Sequence, residues 1–484
     1  LVFYKEKRSN SSTNIEKMTI RMGIVMYQID FKKPCVIYFM GIGGISMSGL
    51  AEILMDEGFS VKGSDARKSE LTEKLEAKGA EIFYGQRAGN IQEGLDVVVY
   101  TAAIHPDNPE YAEAVKRGLP MLTRAELLGQ IMKNYKHSLG ISGTHGKTTT
   151  TSMVTEILMA AEADPTVSVG GILPSIGGNI RVGGPELFVT EACEYTNSFL
   201  SFWPTMEIVL NIEEDHLDFF KDLADIRRSF RLFAEKLPKE GTFIINSDID
   251  NYQEISKGLE CNVITFGTSA DSDYQSVNIT HSEMAKAEFD VMKQGKLWGH
   301  IVLGVAGDHN VANALGALAA CDCLGIPVEK IKEGLEKFTG TNRRFEKKGQ
   351  LAGITVIDDY AHHPSEIKAT LSAARNYPHK QIWCVFQPHT YTRTKAFMDD
   401  FAQALSMADQ VILADIYAAR ETDNLGVSSK DLAEKINHLG TKAYYIPSFD
   451  EIETFILENC VNGDLLITMG AGDIVKVGEK LLGK

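Results

Sequence analysis

The stretch Ser142-Gly143-Thr144-His145-Gly146-Lys147-Thr148-Thr149-Thr150 puts two glycines, a lysine and a run of hydroxyls into one short segment. An apolar lead-in, Ser138-Leu139-Gly140-Ile141, precedes it, and a helical pattern, Met153-Val154 then Ile157-Leu158, follows. Strand, glycine turn and helix in that order is the setting of a loop that wraps a polyphosphate. Gly143 and Gly146 let backbone N–H groups close on an anion that a Cβ would hold off. The helix starting near Lys147 turns its positive end toward the same anion. Lys147 would add a point charge at the β- and γ-phosphates, and the Thr148 hydroxyl can ligate Mg²⁺. The longer form of such loops asks for glycine at position 141, where this chain has Ile141, so the match is to the shorter G-T-H-G-K-T form. The chemistry expected is ATP binding by Gly143, Thr144, His145, Gly146, Lys147, Thr148 and Thr149.

Other reactive side chains cluster where apolar runs end. Leu187-Phe188-Val189-Thr190 delivers Glu191-Ala192-Cys193-Glu194-Tyr195. A carboxylate at the end of a buried strand is costly unless paired or metal-bound, which makes Glu191 a Mg²⁺ candidate. Met206 to Ile212 ends in Glu213-Glu214-Asp215-His216-Leu217-Asp218. His216 fits a metal ligand, a phosphate donor or a helix cap, and its closeness in pattern to a metal site favours a functional role. Asn310 and Asn313 fall three apart at the start of an alanine-rich helix and share a face. A carboxamide pairs donor with acceptor, as an adenine edge requires. Arg344, in the hinge-like Thr339 to Glu346, suits either the ATP phosphates or solvent. Arg393 suits a bidentate grip on a substrate carboxylate or a surface ion pair.

The elements that must position these groups read as alternating strands and helices. Val36 to Met40 leads into Gly41-Ile42-Gly43-Gly44-Ile45-Ser46-Met47-Ser48-Gly49, then a helix, then Ser60 to Gly63 and Asp65. This is the order of a nucleotide-binding α/β unit, although Ser46 takes the place of the third glycine of a dinucleotide fingerprint. A nucleotide diphosphate is expected there rather than NAD. Leu95 to Ala103 is a further buried strand ending in small residues. From Ser168 to Pro185 glycine density suggests loops bordering a site. Beyond residue 341, four buried strands end in polar or glycine clusters: Asp359-Tyr360-Ala361-His362-His363-Pro364, Gln387 to Thr394, Ala414 to Glu421, and Met469 to Asp473. That is how the ligand-facing edge of a Rossmann-like sheet reads.

A chain of 484 residues exceeds one core. Expected domains are 26–135, 136–340 and 341–484, after an extension over 1–25 that mixes Lys, Arg, Ser and Asn, with Met26 as the functional start. A net charge of −16 argues against a nucleic-acid binder. No apolar run is long enough to span a bilayer. Seven scattered cysteines without metal spacing fit a reducing cytoplasm, and Cys321 and Cys323 read as core packing on two helix faces.

Taken together these motifs resemble the Mur ligases, from about Met26 to the end. The likeness rests on the two glycine loops, Glu191 to Tyr195, Glu214-Asp215-His216, Asp308 to Asn313, Asp359 to Pro364 and Phe386-Gln387-Pro388-His389. It implies three α/β domains: a Rossmann-like N-terminal one, a central P-loop ATPase type and a Rossmann-like C-terminal one. It implies an ATP-dependent amide ligase of peptidoglycan precursor synthesis, closest to the members that add L-alanine to UDP-N-acetylmuramate. The muramate carboxylate would take the γ-phosphate to give an acyl phosphate, which the alanine amine then attacks. On this likeness Lys147, Glu191, His216 and His362 are catalytic, and Thr148 and Glu191 hold one Mg²⁺ with His216 holding a second. Asn310 and Asn313 face adenine, Asp359 the ribose, and Arg344 the phosphates. Gly41, Gly43, Gly44, Ser46 and Asp65 hold the UDP-sugar, while Glu194, Tyr360 and Arg393 complete the substrate site. ATP and Mg²⁺ are the cofactors expected, with no nucleic acid or membrane partner, in a cytoplasmic monomer or weak homodimer.

Three departures stand out. Cys193 and Tyr195 replace the aspartate and serine of Glu-Ala-Asp-Glu-Ser, which loosens the role of Glu194. Thr390 follows the Gln-Pro-His motif where many alanine-adding members have arginine. Ile226 to Arg231 offers no lysine for the carbamylation seen in sister enzymes, in keeping with the alanine-adding type. The alternative within the family is the ligase that attaches a whole tripeptide in cell-wall recycling. Outside it stand a nucleotide-binding regulator and, more weakly, an NAD dehydrogenase. Selectivity against glycine or serine is not legible, because one methyl group is worth only about 1–3 kcal/mol.

Overall fold

Val36–Met40 (β1) is apolar throughout and nearly wholly buried, as a strand flanked on both edges must be. The computed structural model describes residues 27–484 except 102, 283 and 420. The extension read over 1–25 and the start at Met26 therefore lie outside the described residues. Of the described residues, those up to 130 form one compact unit and those from 131 onward another. In the first, β1 lies between Ser60–Asp65 (β2) and Val97–Tyr100 (β4), with Glu81–Tyr84 (β3) and Met121–Thr123 (β5) at the edges. All four pairings are parallel. Helix α1 (Ile45–Asp56) starts directly after Gly44, so Ser46 and Gly49 belong to the helix rather than to the turn.

The second unit holds two sheets. One includes Asn262–Gly267 (β12), Tyr274–His281 (β13), Lys286–Lys293 (β14) and Lys296–Ala306 (β15), and runs β15-β14-β13-β12-β11-β10-β6-β9-β7-β8. Its centre is the parallel set Leu187–Glu191 (β9), His137–Ser142 (β6), Met206–Val209 (β10) and Thr242–Asn246 (β11). Helix α2 (Lys147–Ala160) and helix α3 (His309–Cys323) cover it, and Met153, Ile157, Leu315 and Leu318 join Ile141, Ile208 and Ile244 in one core. The segment from Ser168 to Pro185, expected as loops, is partly strand: Thr166–Leu173 (β7) pairs antiparallel with Gly178–Arg181 (β8) at the sheet edge. Gly170 serves close approach, since a Cβ there would stand 2.7 Å from Glu191 Oε2.

The other sheet runs β16-β17-β21-β18-β19-β20, with Lys442–Tyr445 (β20) at one edge. Ile354–Asp359 (β17), Leu465–Met469 (β21), Ile382–Phe386 (β18) and Gln410–Leu413 (β19) are adjacent and parallel, so their polar ends gather on one edge. Glu346–Leu351 (β16) is an antiparallel edge strand. Pro364–Arg375 (α4) follows β17, with proline in its first turn and His363 and Glu366 forming a capping box. Among the described residues no helix is long and apolar enough to cross a membrane. Cys321 is buried, but Cys323 two positions on is exposed, so the core reading holds for only one of the pair.

Candidate active site

The loop between β6 and α2 is built as its composition requires. Gly143 and Gly146 adopt φ of 142° and 84°, conformations open to glycine. A Cβ at Gly146 would lie 2.4 Å from Asn313 Oδ1. The loop is pinned from the next strand: Thr144 N–H donates to the Asn211 carbonyl at 3.2 Å, and Glu213 N–H to Thr144 Oγ at 2.9 Å. Lys147 Nζ folds over the loop, donating to the Thr144 carbonyl at 3.1 Å and to Glu194 Oε2 at 2.9 Å. Burial works against its charge, yet Glu194 holds its pKa above the ordinary lysine range.

From Lys147 a chain of polar side chains runs toward the other sheet. Glu194, almost fully buried, lies 3.9 Å from His216 Nε2. The His216 ring packs against Tyr195, tilted by 30° with ring centroids 4.4 Å apart, and burial lowers its pKa, leaving a neutral imidazole. Its neighbour Asp215 accepts from Arg393 Nη2 at 3.0 Å and Nε at 3.2 Å, both side chains being buried. Burial raises the Asp215 pKa, but Arg393 outweighs it and the carboxylate stays below its usual range. Arg393 Nη1 reaches His389 Nδ1 at 3.2 Å, and the His389 ring faces His362 at 5.8 Å, with Tyr360 beyond it. His362 Nδ1–H donates to the Tyr360 carbonyl at 3.0 Å, which leaves its Nε2 with the lone pair. Burial pushes its pKa down to about 4.

Glu191 ends β9 as expected and accepts from Gly170 N–H. Gly171 stands beside Thr148, where a Cβ would meet Thr148 Cγ2 at 3.2 Å. Glu191 and Thr148 thus flank one cradle that side chains on the glycine pair would fill.

A cavity of about 620 Å³ opens beside the loop, lined by His145, Gly146, Thr149, Asn310, Asn313, Arg344, Asp359 and Glu366 among others. Seven of the residues read as nucleotide-binding meet here, while Gly143, Thr144, Lys147 and Thr148 lie outside its lining. Asn313 donates to Asn310 Oδ1 at 3.0 Å, and Asn310 to the Ala306 carbonyl at 2.7 Å, so the pair orients itself. Asp359 accepts the amides of Ala361 at 2.7 Å and Phe345 at 2.9 Å. Burial raises its pKa to about 6, against the pull of Arg344. Arg344 stands 3.8 Å from Glu366 and over the Tyr360 ring.

In the first unit, the amides of the glycine turn are directed inward. Gly41 N–H donates to the Ser64 carbonyl, Gly43 N–H to Asp65 Oδ2 at 2.8 Å, and Gly44 N–H to the Gly41 carbonyl. These glycines give room rather than donors, and Asp65 stabilises the turn. What remains for an anion is the first turn of α1, whose amides lack helical partners, with the Ser46 hydroxyl and Arg124, 3.0 Å apart.

Two further residues of the site, Asn211 and Glu366, carry no motif of their own. Asn211 read as strand interior, though it clasps both backbone polar groups of His145. Glu366 was legible in principle from its position three after His363, the spacing of a capping box.

Known proteins resemble this chain along almost its whole length. The Mur ligase family catalytic domain matches residues 36–136, the Mur ligase middle domain 141–321, and the Mur ligase glutamate ligase domain 343–472. A UDP-N-acetylmuramate–L-alanine ligase of Lachnospira eligens is 62% identical over 94% of this chain and 100% of its own length. One of Agathobacter rectalis is 60% identical over 95% and 100%. Among solved structures, UDP-N-acetylmuramate-alanine ligase of Thermotoga maritima superposes with a TM-score of 0.76 at 31% identity, covering 93% of this chain and 98% of that one. A murein peptide ligase of Psychrobacter arcticus gives 0.67 at 25% identity, with coverage of 93% and 98%. The chain belongs to the Mur ligase family.

Proposed function

We propose that this protein joins L-alanine to the carboxylate of UDP-N-acetylmuramate at the cost of ATP, as a step of peptidoglycan precursor synthesis. The observation that carries this reading is 62% identity, along nearly the full chain, to a ligase named for that reaction. A free carboxylate is a poor acceptor for an amine. Transfer of the γ-phosphoryl group makes an acyl phosphate, amine attack forms a tetrahedral centre, and phosphate leaves. On this reading residues 26–135 hold the UDP-sugar, 136–340 hold ATP and 341–484 hold the amino acid.

Lys147 would balance charge on the transferring phosphoryl group, a contribution largest in a water-poor site. Asn310 and Asn313 would read adenine, with Arg344 and Asp359 closing the cavity from the other sheet. Mg²⁺ fits the cradle between Thr148 and Glu191, and the neutral imidazole of His216 suits a second ion, which would offset phosphate charge when bound. Arg393 would take the alanine carboxylate in the place where it now holds Asp215. His362 Nε2, unprotonated, would accept a hydrogen bond from the amine. In the first unit Ser46, Arg124 and the α1 start would receive the diphosphate.

Incubation with ATP, Mg²⁺, UDP-N-acetylmuramate and labelled L-alanine should yield one labelled UDP-muramoyl product. Incorporation of the tripeptide in its place would favour the recycling ligase. Failure with both would leave a nucleotide-binding regulator.

A further inference from the structure

His145 is held through its backbone, and its ring is flanked by charge. Asn211 clasps its backbone, accepting its N–H at 2.7 Å and donating to its carbonyl at 3.0 Å. Its ring lies between two carboxylates, Nε2 at 3.5 Å from Glu213 Oε2 and Nδ1 at 3.3 Å from Glu366 Oε1. Its face packs on the His363 ring, 4.8 Å between centroids. A ring with an acid at each nitrogen is suited to carry a proton on both. Burial opposes that charge, but Glu213 and Glu366 overcome it and raise the pKa to about 9. Around the group, Arg344 faces Glu366, and burial lowers the pKa of both His363 and His309.

His145, Glu213 and His363 have ligand atoms within 4.8 Å of one another, the spacing of a cation site. The hydrogen bonds speak against that use. His363 Nδ1 accepts from Ser365 N–H at 3.3 Å, and its Nε2–H donates to the Glu214 carbonyl at 3.1 Å. Neither nitrogen has a lone pair to give.

We propose that the His145 side chain is a positioning residue: with Glu366 it clamps the phosphate loop to the start of α4 and keeps the two walls of the nucleotide cavity in register. Glu366 passes the contact on, since its Oε2 accepts the N–H groups of His362 at 3.0 Å and His363 at 3.3 Å. The position of the phosphate loop is thereby tied to the segment that carries His362. The clamp rests on the nucleotide-site part of the reading above.

Binding of a non-hydrolysable ATP analogue, adenylyl imidodiphosphate, with Mg²⁺ tests this by calorimetry on His145→Gln, Glu366→Gln and the double variant, alongside their melting curves. Each single change should weaken binding about tenfold, and the double change no more than the worse single. Wild-type affinity should also fall as pH rises through about 9, and that of His145→Gln should not. Multiplying losses in the double variant, or unchanged binding by His145→Gln, would overturn the clamp. If Glu366→Gln loses its cooperative melt, Glu366→Asp, with its carboxylate withdrawn by one methylene, takes its place. Tight analogue binding without alanine-dependent product would sink the ligase reading and leave the clamp standing. No analogue binding by the wild type would remove both.

Discussion

Lys147 and Arg393 are each held by a carboxylate in the same chain of contacts, Glu194 in one case and Asp215 in the other. That pairing keeps two largely buried cations charged and in place where unpaired ones would be expensive. Each has a distinct consequence on replacement. Lys147→Ala removes a donor aimed at developing phosphate charge, and kcat in a phosphate-release assay should fall about 10²- to 10³-fold. An unchanged kcat would take Lys147 out of the chemistry. Arg393→Lys keeps the charge but loses the planar fork, so the KM for L-alanine should rise about tenfold with a smaller change in kcat. A change confined to the KM for ATP would place Arg393 elsewhere.

Elements set these side chains by fitting tightly at a few points. Gly146→Ala would force a left-handed backbone onto alanine and press its Cβ on Asn313, so the variant should melt lower and bind nucleotide at least about tenfold more weakly. Equal affinity would show that the loop has slack. Beneath it, Glu207 on β10 is fully buried, and burial holds its pKa well above the carboxylate range despite a hydrogen bond from Ser142 Oγ at 3.2 Å. Above pH of about 4.3 the unfolded chain has lost that proton while the native one keeps it. Stability therefore falls as pH rises toward the native pKa, by up to about 1.4 kcal/mol per pH unit. Glu207→Gln should flatten that slope in melting curves, whatever its offset at acid pH. A parallel slope would mean that Glu207 ionises freely.

The apolar runs and the P-loop were plain in the sequence, because buried parallel strands and left-handed glycines leave local signatures. Glu191 at a strand end and Asn310 with Asn313 on one helix face follow from the same local logic. What escaped local reading is pairing at a distance. Nothing near Arg393 announces Asp215, which lies 178 positions away. Nothing near Gly170 announces the Glu191 carboxylate, so a strand passed for a loop. The glycine turn after β1 was legible as a turn, but not that the Ser64 carbonyl, the Gly41 carbonyl and Asp65 would consume its amides.

Across the whole molecule, the proposed reaction needs separate ligands in separate parts. Hydrogen exchange should show UDP slowing exchange at the start of α1, and ATP slowing it in residues 143–150 and the start of α3. The reverse pattern would contradict the assignment. In that reaction an acyl phosphate links the ATP site to amide formation, and isotope transfer reads that link out. With UDP-N-acetylmuramate carrying ¹⁸O in its carboxylate, the released phosphate should contain one ¹⁸O per turnover, and its release should require L-alanine. Phosphate free of the label, or released without muramate, would rule the acyl phosphate out.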